Sequence, residues 1–203
     1  MEIKVVGVHS VAAEKDSPQG EWCQRIANLE RDCMKRVADP STQIVMRFPT
    51  WGLRDCLDGF YHSLTNRLNE RSVYHQVIAA EKEGFDAAII VCLFDPLLRE
   101  LRTAVDIPVI GLAEASMHMA NIIGAKFGVI SFTNQTALDT DTIVDTYGLR
   151  QKCVGVIAMK DLHTGWLAAT MESPPETVER TIEQIEESAR ELIKRGAEVI
   201  LIG

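Results

Sequence analysis

Apolar residues in this chain come in two alternating rhythms. Short unbroken runs read as buried strands, and longer stretches with apolar positions three or four apart read as helices. "IKVVGV" (3–8) is the first strand. Trp22, Ile26, Leu29, Cys33 and Val37 then fall at helical spacing and predict a helix with one apolar face. "QIVMRF" (43–48) is a second strand, "FPTWG" a loop, and a broken helical region runs to Glu83, where Gly84 stops it. "FDAAIIVC" (85–92) is a third strand. It is apolar almost throughout, as a parallel strand covered on both faces should be.

The rhythm continues to the end. "DPLLRELRTAV" predicts a helix with Asp95 as its N-cap and Pro96 at the first helical position. "IPVIGL" (107–112) is a strand, "EASMHMANIIG" a helix ending at Gly124, "KFGVIS" a strand and "NQTALDTDTIVDTYG" a helix. "KCVGVIAM" is a strand followed by a polar loop through Pro175. "ETVERTIEQIEESARELIKRG" is a long amphipathic helix whose acidic part, 176–191, is a solvated face, and "AEVILIG" is a last strand. Strand and helix alternate, so the fold class is α/β with mostly parallel sheets.

Composition narrows the function. The chain has 203 residues, 46% hydrophobic and 25% charged, which allows one large domain or two small ones with a sizeable core. A net charge of −8 argues against nucleic acid and against an anionic membrane surface. No apolar run approaches the ~20 residues that span a bilayer. The opening "MEIKVVGVHS" reads straight into a strand rather than into a signal peptide. Cys23, Cys33, Cys56, Cys92 and Cys153 make an odd set without CxxC spacing. That predicts reduced thiols in a cytoplasmic protein, not a disulfide framework or a metal site. Cys23 and Cys33 are read as packing or surface residues. Neither GxGxxG nor GxxxxGK[ST] occurs, so nicotinamide, flavin and nucleoside triphosphate chemistry are disfavoured and no cofactor is expected.

Two stretches resemble each other. "EKEGFDAAIIVC" (81–92) and "IKRGAEVILIG" (193–203) each carry a charged helix end, a glycine, one residue, an acid and a buried strand. Aligning Gly84 with Gly196 puts Asp86 on Glu198, Ile90 on Ile202 and Val91 on Gly203. Cys92 then matches the position after Gly203. A pattern this short is compatible with generic strand grammar as well as with an internal repeat.

The segment 84–131 resembles the aspartate/glutamate racemase superfamily, in its hydantoin and allantoin racemase branch. The pieces that carry the resemblance are Cys92-Leu93-Phe94-Asp95-Pro96 at a strand end, Pro108-Val109-Ile110-Gly111, and Glu114-Ala115-Ser116-Met117-His118. The specific match covers about a quarter of the chain, and the strand–helix order extends it over nearly all. The resemblance implies two similar flavodoxin-like halves with parallel sheets and the active site in the cleft between them. A strand-end cysteine from each half would face the substrate. The halves are expected at 1–96 and 97–203. The first is expected to be completed beyond residue 203, where a second cysteine and a further helix–strand–helix unit would follow. The family's Asn-Pro-Asn-Thr-like loop after the first strand is replaced here by His9-Ser10-Val11.

By strand grammar alone, Cys92 reads as core filler. Within the family pattern it becomes one of two acid–base groups. Racemising a carbon beside a carbonyl removes a proton from one face and returns one to the other. A thiol serves both steps, because its ordinary pKa of about 8.5 is readily lowered by N–H groups or a cation. The expected helix start at Asp95 would aim its amides at Cys92. The enolate oxygen needs donors, each worth roughly 3 kcal/mol. The loop amides of Leu93, Phe94 and Asp95, together with Ser131, Thr133 and Asn134, are the candidates. Phe94 and Met117 are candidates for an apolar lining, and His9, Ser10 and Thr50 for other pocket positions. Glu114 reads equally as a helix cap or a substrate contact, and His118 as a packing residue. Cys153 begins a strand rather than ending one and is not a candidate partner. No basic residue occupies these strand-end loops, which favours a neutral ring over free aspartate or glutamate. The resemblance thus implies a cofactor-independent racemase of a small hydantoin- or allantoin-type molecule, with no metal, nucleic acid or membrane partner and a homo-oligomeric assembly. A single-cysteine decarboxylase, a cis–trans isomerase of the same fold, and a non-catalytic small-molecule-binding protein are the alternatives.

Overall fold

The computed structural model describes residues 2–10, 18–48, 63–159 and 175–203. It contains two compact units, divided between Leu112 and Ala113. The division falls there rather than after Pro96 because the strand Val109–Gly111 hydrogen-bonds to Ala87–Ile90 and so belongs to the first sheet.

In the first unit, β1 (Ile3–Val8), β2 (Thr42–Arg47), β3 (Ala87–Ile90) and β4 (Val109–Gly111) form a parallel sheet in the order β2-β1-β3-β4. The connecting helices are α1 (Pro18–Lys35), α2 (Ser63–Lys82) and α3 (Leu98–Ala104). The central strands are apolar because both faces are covered. Val6, Val8, Ala88 and Ile90 pack with Val73 and Val77 of α2 and Leu98 and Leu101 of α3 into one core.

The apolar face of α1 differs from the one read in the sequence. Leu29, Cys33 and Val37 are exposed, whereas Gly20, Cys23 and Ala27 are buried and Met34 is half-buried. Both sets keep helical spacing, and the sheet selects the one with the smaller side chains at its centre. Cys23 is thus a packing residue and Cys33 a surface residue.

The second unit holds α4 (Leu112–Ile123), β5 (Phe127–Ser131), α5 (Asn134–Thr146), β6 (Cys153–Ala158), α6 (Pro175–Lys194) and β7 (Val199–Ile202). Its parallel sheet has the order β6-β5-β7. Ile130, Met159, Leu192 and Ala197 form a core against the buried side of α6. No helix among the described residues is long and apolar enough to cross a membrane.

The two similar stretches share most of their junction bonds. Gly84 and Gly196 take φ of 80° and 96°, the left-handed conformation that closes a helix without steric penalty at glycine. The Phe85 N–H then donates to the Ala80 carbonyl at 3.1 Å, and the Ala197 N–H to the Leu192 carbonyl at 3.0 Å. Asp86 donates its N–H to the Lys4 carbonyl at 2.8 Å, and Glu198 its own to the Lys126 carbonyl at 2.9 Å. Each acid's carboxylate accepts a backbone N–H in return, from Lys4 and from Ala125, both at 2.8 Å. At the far end, Val91 donates to Val8 at 2.8 Å and Gly203 to Ile130 at 3.0 Å. The acid is therefore a strand-entry clamp in both units, and β3 and β7 are equivalent elements.

Candidate functional site

The candidate site begins where β3 ends. Val91 makes the last ladder bond, and the chain then turns at once, with the Asp95 N–H donating to the Cys92 carbonyl at 3.1 Å and the Leu98 N–H to the Asp95 carbonyl at 3.1 Å. This corrects the expected helix start. Asp95 and Leu97 have φ of 41° and 57°, and α3 begins only at Leu98, with Leu97 as an N-cap that makes no side-chain bond. Asp95-Pro96 forms a turn, not an N-cap and first helical residue. Successive reversals hold the sulfur near a turn amide rather than a helix end.

Cys92 is half-buried and free of any disulfide. Two donors reach its sulfur, the Ser10 hydroxyl from the end of β1 and the Phe94 N–H from the turn. Burial nonetheless pushes the thiol up from its ordinary value, and these two bonds only partly offset it. The carboxylates of Asp95 and of Glu70, on α2, push it further in the same direction. The direction is thus opposite to the expected lowering, and Cys92 is held in its protonated thiol form. Glu70 was not legible as a neighbour, because only the packing of α2 brings it near a residue 22 positions away.

Asp95 is buried, and its carboxyl group lies over Gly111 at the end of β4. A Cβ at position 111 would stand 2.5 Å from the Asp95 carboxyl carbon and 2.6 Å from Leu98 Cδ2. The glycine is what lets the turn close down over the strand. Leu93 and Phe94 are half-buried on the same turn.

His9 is buried at the end of β1. Its N–H still donates to the Arg47 carbonyl at 3.0 Å, its ring stacks on Phe48 with centroids 4.0 Å apart and planes 7° off parallel, and its Nε2 lies 2.5 Å from Glu30 Oε2. Its ring is occupied by these contacts. Thr50 lies outside the described residues.

In the second unit, Ser131 and Thr133 are buried and their hydroxyls serve α5. Thr133 is the N-cap and accepts the Thr136 N–H at 3.0 Å, while Thr136 Oγ1 accepts the Thr133 N–H at 2.8 Å. Ser131 donates to the same Thr136 oxygen at 2.8 Å. Asn134, the first residue of α5, is exposed. Met117 is fully enclosed and Glu114 is half-buried inside the first turn of α4, not its cap. His118 is exposed and tilted against Tyr147 rather than packed inside. Cys153 is half-buried at the start of β6, with its sulfur near the Gly155 carbonyl at 3.5 Å.

The candidate site is thus a half-buried thiol at the end of a strand in a parallel α/β unit. The family model described as Asp/Glu/Hydantoin racemase matches residues 27–203, and the chain belongs to that family. It is 30% identical to a hydantoin racemase of Pseudomonas sp. (strain NS671) over 169 residues, covering 83% of this chain and 64% of that protein. It is also 30% identical to a hydantoin racemase of Rhizobium meliloti over 128 residues, 63% of this chain and 50% of the relative. The chain therefore spans between half and two thirds of the length of these relatives. Among solved structures, it resembles an allantoin racemase from Klebsiella pneumoniae with a TM-score of 0.75 and 22% identity, over 99% of this chain and 74% of the other. An allantoin racemase from Pseudomonas fluorescens gives a TM-score of 0.74 and 25% identity, over 99% and 76%.

Proposed function

We propose that the protein is a cofactor-independent racemase of a neutral hydantoin- or allantoin-type ring, with Cys92 as one of two acid–base groups. The observation that carries this reading is the place of Cys92 at the end of β3, where the strand register sets it beside Ser10 at the end of β1 and ahead of the turn at Phe94. Family membership and the named hydantoin and allantoin racemases support the reaction class.

The starting enantiomer sets which group gives and which takes the proton. For one of them Cys92, held as a thiol, acts as the acid. The opposing base takes the proton from the ring carbon beside the carbonyl, and Cys92 delivers its own proton to the other face. The resulting thiolate is then held by the Ser10 hydroxyl and the Phe94 N–H, and it takes a proton back in the reverse reaction. Among the described residues, the charged groups acting on this sulfur are two carboxylates, which oppose a substrate that brings its own negative charge. A ring amide is neutral and fits that field, whereas free aspartate and glutamate do not. On the second unit, Asn134 is the side chain open to a ligand, since Ser131 and Thr133 are buried in the cap of α5.

The test is to incubate a single enantiomer of a 5-substituted hydantoin, and separately of allantoin, with the protein. Loss of optical activity above the spontaneous rate supports the racemase. Release of CO₂ from a disubstituted malonate with no racemisation of either ring would replace it with a single-thiol decarboxylase.

A further inference from the structure

Glu30 sits on the core-facing stripe of α1. Gly20, Cys23 and Ala27 are buried and Met34 is half-buried, and residue 30 falls at the same spacing of three or four. A carboxylate in that stripe needs a partner. It has one in His9, at 2.5 Å, with the two side chains only 28% and 10% exposed. His9 is also tied through its backbone to Arg47 and through its ring to Phe48. The next residue along the chain is Ser10, whose hydroxyl reaches the Cys92 sulfur.

We propose that Glu30 is a positioning residue for Cys92: by fixing His9 it holds the end of β1, and with it the Ser10 hydroxyl, against the sulfur. The inference rests on Cys92 being the reacting thiol, and Glu30 itself touches neither the sulfur nor a substrate. Among the described residues, the His9 N–H makes the last ladder bond of β1, one residue before Ser10. Hydrogen bonds weaken steeply with distance and angle, so a small drift of the strand end removes the donor from the thiolate.

The sign of the effect separates positioning from simple electrostatics. Among the described residues, the charged groups acting on Cys92 are Asp95 from the turn and Glu70 from α2, and both disfavour the thiolate. Removing another carboxylate through its field alone would ease deprotonation. Removing a clamp that holds a donor does the opposite.

The experiment measures iodoacetamide alkylation of Cys92 in the full chain across pH, read by peptide mass to separate it from the other four cysteines. Glu30→Ala is expected to raise the pH midpoint by about one unit, slowing alkylation about tenfold at a fixed lower pH. Ser10→Ala should do the same, and the double variant should be no worse than either single one. Glu30→Gln still accepts from the imidazole and should stay within about threefold of wild type. If Glu30→Ala does not fold, Glu30→Asp, one methylene too short, takes its place in the cycle. An unchanged or lowered midpoint, additive single effects, or a Gln variant as slow as Ala would overturn the proposal. The readout needs no turnover. An inert protein with an intact cycle sinks the racemase reading alone, and an active racemase with additive effects sinks the clamp alone.

Discussion

The Ser10 hydroxyl meets the Cys92 sulfur where two neighbouring parallel strands end, and the Phe94 N–H joins it from the turn that follows. Both donors favour a thiolate, yet burial and two carboxylates keep the proton on. A thiol of this kind is a poor nucleophile at rest and keeps its proton until a stronger base develops beside it. The alkylation midpoint of Cys92 in the wild-type protein should therefore lie above the ~8.5 of an ordinary cysteine. A midpoint at or below that value would contradict the assigned resting state.

Asp95→Asn tests the electrostatic side of the same balance. Asparagine tolerates the left-handed conformation that residue 95 adopts, so the turn should survive. Losing the negative charge should lower the Cys92 midpoint and speed alkylation several-fold at pH 8. A midpoint that rises instead would mean that the Asp95 carboxylate matters for the turn and not for its field.

Gly111→Ala should be more damaging than its size implies. The added methyl would overlap the Asp95 carboxyl group and Leu98, both held in a packed turn. The expected cost is about 1–3 kcal/mol of stability, together with altered Cys92 reactivity, because the turn must move. Denaturant titration with parallel alkylation checks both effects, and a neutral substitution would show that the turn has slack.

The repeated helix–strand junction gives a matched pair. Gly84→Ala and Gly196→Ala each place a Cβ on a left-handed backbone in otherwise open space. Each should destabilise its own unit by about 1–2 kcal/mol, from backbone conformation alone. Unequal losses, outside that range, would argue against equivalent roles for β3 and β7.

Much of this architecture was legible because buried parallel strands write themselves as apolar runs. β3 and β7 fall within the apolar runs "FDAAIIVC" and "AEVILIG", and the Gly84/Gly196 alignment pairs the two acids that clamp the strand entries. The site was less legible. Asp95-Pro96 carries the composition of a helix start, but the chain needs two reversals first, and nothing local signals them. Ser131 and Thr133 look like ligand groups, and they are consumed by Thr136, whose side chain completes a capping box without the usual Glu or Gln. Nothing in the local sequence marks Glu30. Only the correct α1 stripe, set by Cys23 and Ala27 rather than by Leu29 and Cys33, shows that it faces the sheet.

Specificity follows from the field at the sulfur. A neutral 5-substituted hydantoin should be processed with at least tenfold higher kcat/KM than free aspartate, since two carboxylates oppose an anionic substrate at Cys92. Steady-state polarimetry on both compounds decides this, and faster turnover of aspartate would refute the inference from charge.

The central claim is that Cys92 moves a proton at the carbon beside a ring carbonyl. The most direct measurement follows deuterium entry from D₂O into a single-enantiomer hydantoin, by proton NMR, with wild type and with Cys92→Ala. The wild-type protein should exchange the ring C–H and racemise the ring together, above the spontaneous rate. The variant, folded by circular dichroism, should lose at least a hundredfold. Exchange and racemisation surviving in Cys92→Ala at a tenth of wild type or more would contradict the account.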